Sequence, residues 1–190
     1  MKFKVLYRTL SIALSVAMSA GMSASAYDAA YYNSCEGKGG QNLLKALAST
    51  IADHTVVSYD GLWTLYQSSD VNASGRIWDM YSTKEWSTGE KCGSYKKIGD
   101  CYNREHSFPK SWFSKRSPMV SDAFHIYPTD GYVNGKRGNM PYGECANGTA
   151  AAPSSGSIKA LGKIGTCTSP GYSGTVFEPD DEYKGDFARS

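Results

Sequence analysis

Residues 103–113 read NREHSFPKSWF, and residues 122–139 read DAFHIYPTDGYVNGKRGN. Two of the chain's three histidines, His106 and His125, fall in these segments. The pattern predicts strand, loop, strand and helix. Glu105 and His106 are adjacent, so on a strand they face opposite sides. A bend at that point lets one hold a cation while the other addresses water. Thr129 reads as the cap of a short helix that carries Asn134, whose amide oxygen is a second hard donor. Phosphodiester hydrolysis needs an activated water, to which a neutral imidazole is suited. It also needs a partner for the phosphate charge, to which a hard divalent cation with a few oxygen ligands is suited. On residue types alone this is a candidate metal site and no more. His125, set among aromatic residues, reads as a satisfied, half-buried histidine. His54 reads as a helix C-terminal dipole contact.

The rest of the chain is organised around these segments. Leu43, Leu44, Leu47 and Ile51 recur at helical spacing behind a candidate cap, Asn42. A second helix is expected from near Ser58, carrying Leu62, Trp63, Leu65 and Tyr66. Residues Arg76–Tyr81 alternate like a strand. Asp70, Asn72, Ser74 and Gly75 imitate the start of a calcium-binding loop, but Tyr81 stands where a bidentate Glu is required, so the stretch is assigned to a turn. Residues 145–174 read as loop with short strands.

Lys2, Lys4 and Arg8, an apolar run from Leu10 to Met18 and the sequence Ala24-Ser25-Ala26 have the layout of a secretory signal over 1–26. The apolar run falls short of the roughly 20 residues a spanning helix needs, so no membrane span is expected. The expected mature chain, 27–190, is a single domain. The leader's three positive residues exceed the net +2 of the whole chain, so net charge gives no argument for a polyanionic partner. A basic stretch does occur at 91–116, and by itself it reads as a solvated run or a track for a polyanion. Of five cysteines, Cys92 and Cys101 close a short loop and are the first choice for a disulfide. A second bridge, Cys35–Cys145 or Cys145–Cys167, stays open.

NREHSFPKSWF and DAFHIYPTDGYVNGKRGN, taken together and in this order, resemble the endonuclease I family of secreted and periplasmic bacterial nucleases. The resemblance extends to Ile77-Trp78-Asp79-Met80-Tyr81-Ser82, Phe177-Glu178-Pro179 and Lys184-Gly185-Asp186-Phe187-Ala188-Arg189. It implies an α+β fold with a ββα-metal (His-Me finger) core packed against helices, with long irregular loops. It implies His106 as the general base, and Glu105 and Asn134 as ligands of Mg2+, with Mn2+ or Ca2+ as other candidate cations. The implied partners are DNA and RNA, cut with little sequence preference to leave 5′-phosphate ends by a monomeric enzyme. In some members of the family a phosphate-contacting arginine lies in an insert for which 114–121 is too short. Arg137, three residues after Asn134, takes that catalytic place here, with Arg116 as the alternative. Family members continue past the last of these segments into an apolar helix, which implies that 27–190 is less stable than a version so extended. The competing reading is a non-catalytic nucleic-acid-binding module derived from such a nuclease.

Overall fold

The computed structural model describes residues 30–52 and 54–189; the expected signal over 1–26 lies outside the described residues. The chain comprises two compact units, one ending at His54 and the other starting at Thr55. In the first, a 3-10 turn at Asn33–Cys35 precedes helix α1 (Gly40–Ile51). Ser34 Oγ and Thr50 Oγ1 lie 2.7 Å apart, tying the turn to the far end of the helix. Gly39 rather than Asn42 occupies the cap, in an extended conformation, and Asn42 falls inside the helix. His54 Nδ1 meets the Ile51 carbonyl at 2.8 Å, the helix-end contact expected of it.

The second unit mixes helices with two small antiparallel sheets, an α+β arrangement. Helix α2 (Leu62–Ser69) begins four residues after Ser58, whose hydroxyl accepts the Gly61 N–H. Leu62 and Tyr66 pack with Ile77, Trp86, Tyr102 and Ile126 in one apolar cluster. Fully buried aliphatic side chains such as Leu62, Ile77 and Ile126 each contribute roughly 1.5–3 kcal/mol. Strand β1 (Tyr102–His106) pairs antiparallel with β2 (Ile126–Asp130), with Glu105 opposite Tyr127 and His106 opposite Ile126. The chain passes straight from β2 into helix α3 (Gly131–Arg137). Strands β3 (Cys145–Ala150), β4 (Gly162–Cys167) and β5 (Thr175–Pro179) form the second sheet in that order. Helix α4 (Lys184–Arg189) buries Phe187 against Tyr81 and Tyr142. Val133 of α3, Phe177 of β5 and Phe187 share one core cluster, which holds α3 in place.

Residues Arg76–Tyr81 do not form the expected strand. Ile77 makes only single bridges, to Val71 and Trp86. The reason is Asp79. Its carboxylate accepts from the Tyr81 N–H, the Ser82 hydroxyl, the Trp86 indole N–H and the Asp130 N–H, which folds the chain around it. Asn72 Oδ1 accepts from the Ser74 and Arg76 N–H groups, making the expected turn. Cys92 and Cys101 are joined, with Cα atoms 5.7 Å apart. Neither candidate second bridge is formed, and Cys35, Cys145 and Cys167 are thiols. Cys145 and Cys167 are register partners on β3 and β4. The Cys145 sulfur lies by Gly148 and Gly165, and the Cys167 sulfur by Gly143.

Candidate active site

Alternation along β1 sends its side chains to two sides. On one side, Asn103 Oδ1 accepts from Asn134 Nδ2 at 2.7 Å and Glu105 Oε1 accepts from Arg137 Nη1 at 2.6 Å, so this side meets α3. On the other, the Arg104 guanidinium carbon lies 3.5 Å from the Tyr59 ring centre and 4.3 Å from that of Trp63. The His106 ring lies 5.9 Å from Tyr59. The expected opposition of Glu105 and His106 is therefore present, yet both border the same space. A cleft of about 300 Å³ is lined by Glu105, His106 and Asn134 together with Tyr59, Trp63, Arg104 and Lys110.

Glu105 is 3% exposed. Its Oε1 is crowded with donors: Arg137 at 2.6 Å, the Tyr81 hydroxyl at 2.7 Å and the Tyr142 hydroxyl at 3.5 Å. Burial pushes this carboxyl up, against the pull of Arg137 and Tyr81. Burial likewise works against the Arg137 charge, and Glu105 together with Tyr142 and Tyr81 more than restores it. A guanidinium keeps its proton in proteins, and at 2.6 Å the pair is ionic. Oε2 accepts no hydrogen bond among the described residues, which leaves one carboxylate oxygen for the cleft.

His106 ends β1. Its Nε2 lies 3.2 Å from the Val120 carbonyl. A carbonyl can only accept, so Nε2 carries the proton and the lone pair of the neutral ring sits on Nδ1. Burial, helped by Lys110, His125 and Arg104, pushes the ring down to about 4 against the pull of that carbonyl. At neutral pH the imidazole is uncharged. His125 stands edge-on to it at 5.8 Å, with Nε2 on the Met119 carbonyl at 2.8 Å, a satisfied histidine as the sequence suggested.

Asn134 reaches the cleft from α3. The Asn103 contact fixes its amide and leaves Oδ1 without a protein partner among the described residues. The helix is capped one residue later than expected. Asp130, not Thr129, accepts from the Tyr132 and Val133 N–H groups, because a carboxylate serves both amides and the dipole at once. The Thr129 hydroxyl is buried without a partner. No group of three or more His, Cys, Asp or Glu able to hold a metal occurs among the described residues. The oxygens suited to a hard cation in this cleft are Glu105 Oε2 and Asn134 Oδ1, a sparse oxygen set of the kind magnesium takes while keeping waters.

Arg137 is not placed to touch a phosphate. It is 1% exposed. Nε donates to the Met140 carbonyl, Nη1 to Glu105 and the His106 carbonyl, and Nη2 to the Ser107 carbonyl. Its face packs on Tyr142 at 4.3 Å. Expected in a catalytic place, it instead has its N–H groups committed to Glu105 and to the backbone at the end of β1, and it does not line the cleft. Arg116, the alternative, is exposed and does not line the cleft. The cations that do are Arg104 and Lys110. Sequence reasoning passed over Tyr59, Trp63, Asn103 and Arg104. Only the 103–106 tetrapeptide hinted at two of them, because strand alternation places Asn103 beside Glu105 and Arg104 beside His106.

The family model of endonuclease I matches residues 39–190. An extracellular ribonuclease of Bacillus amyloliquefaciens is 33% identical over 163 residues, covering 84% of this chain and 50% of that protein. An extracellular ribonuclease of Bacillus subtilis (strain 168) is 31% identical over 163 residues, with the same coverage of 84% and 50%. The chain spans about half the length of these relatives. No solved structure matches it.

Proposed function

Because the chain belongs to the endonuclease I family, we propose that it is an exported, metal-dependent endonuclease in which His106 is the base and Glu105 and Asn134 hold the cation. The observation that carries this reading is the set of acceptors left over in the cleft. Among the described residues Glu105 Oε2, Asn134 Oδ1 and His106 Nδ1 have no protein partner, while Glu105 Oε1, Asn134 Nδ2 and His106 Nε2 are each committed. Under this reading β1, β2 and α3 form the ββα-metal core.

His106 Nδ1 takes the proton of the attacking water as oxygen bonds to phosphorus. The bond from phosphorus to the 3′ oxygen breaks, leaving a 5′-phosphate, and the departing 3′ oxygen takes a proton from solvent water to become a hydroxyl. A bound Mg2+, or Mn2+ or Ca2+ in its place, supplies Lewis-acid stabilisation of the phosphate charge. Arg137 and Tyr81 hold Glu105 still, and Asn103 holds Asn134. Arg104 and Lys110 bring positive charge to the backbone, which carries no sequence information, so both DNA and RNA are substrates with little sequence preference. The leader over 1–26 supports export, as do the relatives' extracellular names, and the enzyme acts as a monomer. Among the described residues no helix is long and apolar enough to cross a membrane. A binding module descended from a nuclease has no use for an unprotonated, unpartnered Nδ1 beside two free oxygens, and this favours the enzyme.

Incubating the protein with plasmid DNA and with RNA, with and without chelator, tests the reading. Cleavage is expected only with metal present. Glu105→Ala and Asn134→Ala are expected to need more metal for the same rate. Full activity in chelator removes the cation from the mechanism.

A further inference from the structure

Cys145 and Cys167 face each other across the second sheet, as register partners on β3 and β4. The hydrogen bonds around them define which kind of partners they are. The Cys145 N–H donates to Glu178 Oε2 and the Cys167 N–H to the Gly174 carbonyl, so neither amide serves the other cysteine. The Thr168 N–H instead donates to the Glu144 carbonyl, one residue outside the pair on each strand. This is the non-hydrogen-bonded pairing of an antiparallel ladder, in which Cα atoms stand about 4.5 Å apart and both side chains rise on one face. A disulfide needs Cα atoms about 4.4–6.8 Å apart, so the backbone is already placed for one. Room for the sulfurs comes from glycine. A Cβ at Gly148 or Gly165 would stand 2.5 Å or 3.0 Å from the Cys145 sulfur, and one at Gly143 would stand 3.5 Å from that of Cys167. With only hydrogens there, each sulfur can turn about its own Cα–Cβ bond without meeting a side chain at these positions. Both cysteines are half-buried, within reach of a small oxidant.

We propose that Cys145 and Cys167 are an oxidation site that closes into a cross-strand disulfide, stapling β3 to β4. The step is thiol–disulfide exchange with a small-molecule disulfide such as oxidised glutathione. One cysteine thiolate attacks a sulfur of the oxidant, forms a mixed disulfide and releases one small thiol. The other thiolate attacks the protein-side sulfur, and the second small thiol leaves. The two cysteines give up two protons and two electrons, and the oxidant takes them up as two thiols. The reaction is independent of the nuclease reading and needs only oxidising surroundings, such as those an exported protein meets. What the staple secures is the start of β3. Tyr142, three residues earlier, packs its ring on Arg137 at 4.3 Å and brings its hydroxyl to 3.5 Å from Glu105 Oε1. Cys145 itself is tied to β5 through Glu178. The staple therefore fixes the strand that follows the segment packed on Glu105, and it leaves Cys35 as the remaining thiol.

The protein, equilibrated with a mixture of oxidised and reduced glutathione, is alkylated and mapped by mass spectrometry without reduction. The peptides of Cys145 and Cys167 are expected joined, with Cys35 alkylated or carrying glutathione. Alkylation of both Cys145 and Cys167, or a bridge from either to Cys35, overturns the proposal. Melting temperatures of Cys145→Ser, Cys167→Ser and the double variant then show whether the bond acts as a staple. Each single variant is expected to melt about 5–10 °C below the unaltered protein, and the double variant no lower than the singles. In excess reductant the unaltered protein and the variants are expected to melt together. Losses that add in the double variant, or that persist in reductant, overturn the staple, because they are what two separately packed cysteines would give. If a serine variant does not fold, the peptide map of the unaltered protein still decides.

Discussion

Two glutamates in this protein are almost equally buried and do different work. Glu105, on β1, is 3% exposed, and Glu178, on β5, is 4% exposed. Each faces a cation. At Glu178, Oε1 accepts from Lys184 at 2.8 Å and pairs with Lys163 at 3.2 Å, while Oε2 accepts the Cys145 N–H. Burial alone would raise that carboxyl, but these partners outweigh it and hold it well below its ordinary 4.5. Both oxygens are spent on joining β5 to its neighbours. At Glu105 all the donors converge on one oxygen, burial prevails, and the second oxygen is left over. A buried carboxylate becomes a site only where its partners fix it without using all of it.

His106→Ala breaks the site side of this comparison most severely. A rate loss of about 10²–10⁴ is expected, with nucleic-acid binding retained; single-turnover cleavage alongside a binding titration reads it. Near-normal cleavage would remove His106 from the chemistry and leave Glu105's free oxygen without a purpose.

Arg137→Met sharpens the comparison through stability. Glu105 would stay buried without its counter-charge, at a cost of about 3–5 kcal/mol. Lys184→Met, at a side chain 30% exposed and with Lys163 still beside Glu178, is expected to cost only about 0.2–1 kcal/mol. Denaturant unfolding of the two variants gives the ratio. Similar losses would show that the two ion pairs are equivalent after all.

The smallest effect is a pH dependence. Glu178 titrates below 4.5 in the folded protein, so the unfolded chain takes up that proton first. The stability it contributes is full above 4.5 and is lost as pH falls further through the folded value. Glu178→Gln should flatten the fall of melting temperature below pH 4.5 and change little near neutrality. An unchanged acid limb would separate Glu178 from acid unfolding.

Strong local patterns were legible. Helix α1 was visible in Leu43, Leu44, Leu47 and Ile51, and the short Cys92–Cys101 loop pointed to its disulfide. The strand, loop, strand and helix around Glu105, His106 and Asn134 were visible in residue types and motif order. Boundaries set by competing hydrogen bonds were not. Asp79 overrode an alternating run that read as a strand, and Asp130 displaced Thr129 as the cap.

By itself the sequence determined which residues are chemically capable, because imidazole, carboxylate and amide are properties of side chains and strand alternation is a property of the backbone. Only the tertiary structure decided what each is free to do. Arg137 has the right charge and sits three residues from Asn134, but 126–137 folds back on β1 and spends its N–H groups on Glu105 and three carbonyls. Tyr59 and Trp63 stand far back in the chain from Asn103, and only packing against Arg104 brings them to the cleft. Which lone pairs remain unpartnered depends on every neighbour in space, and a sequence does not name those neighbours.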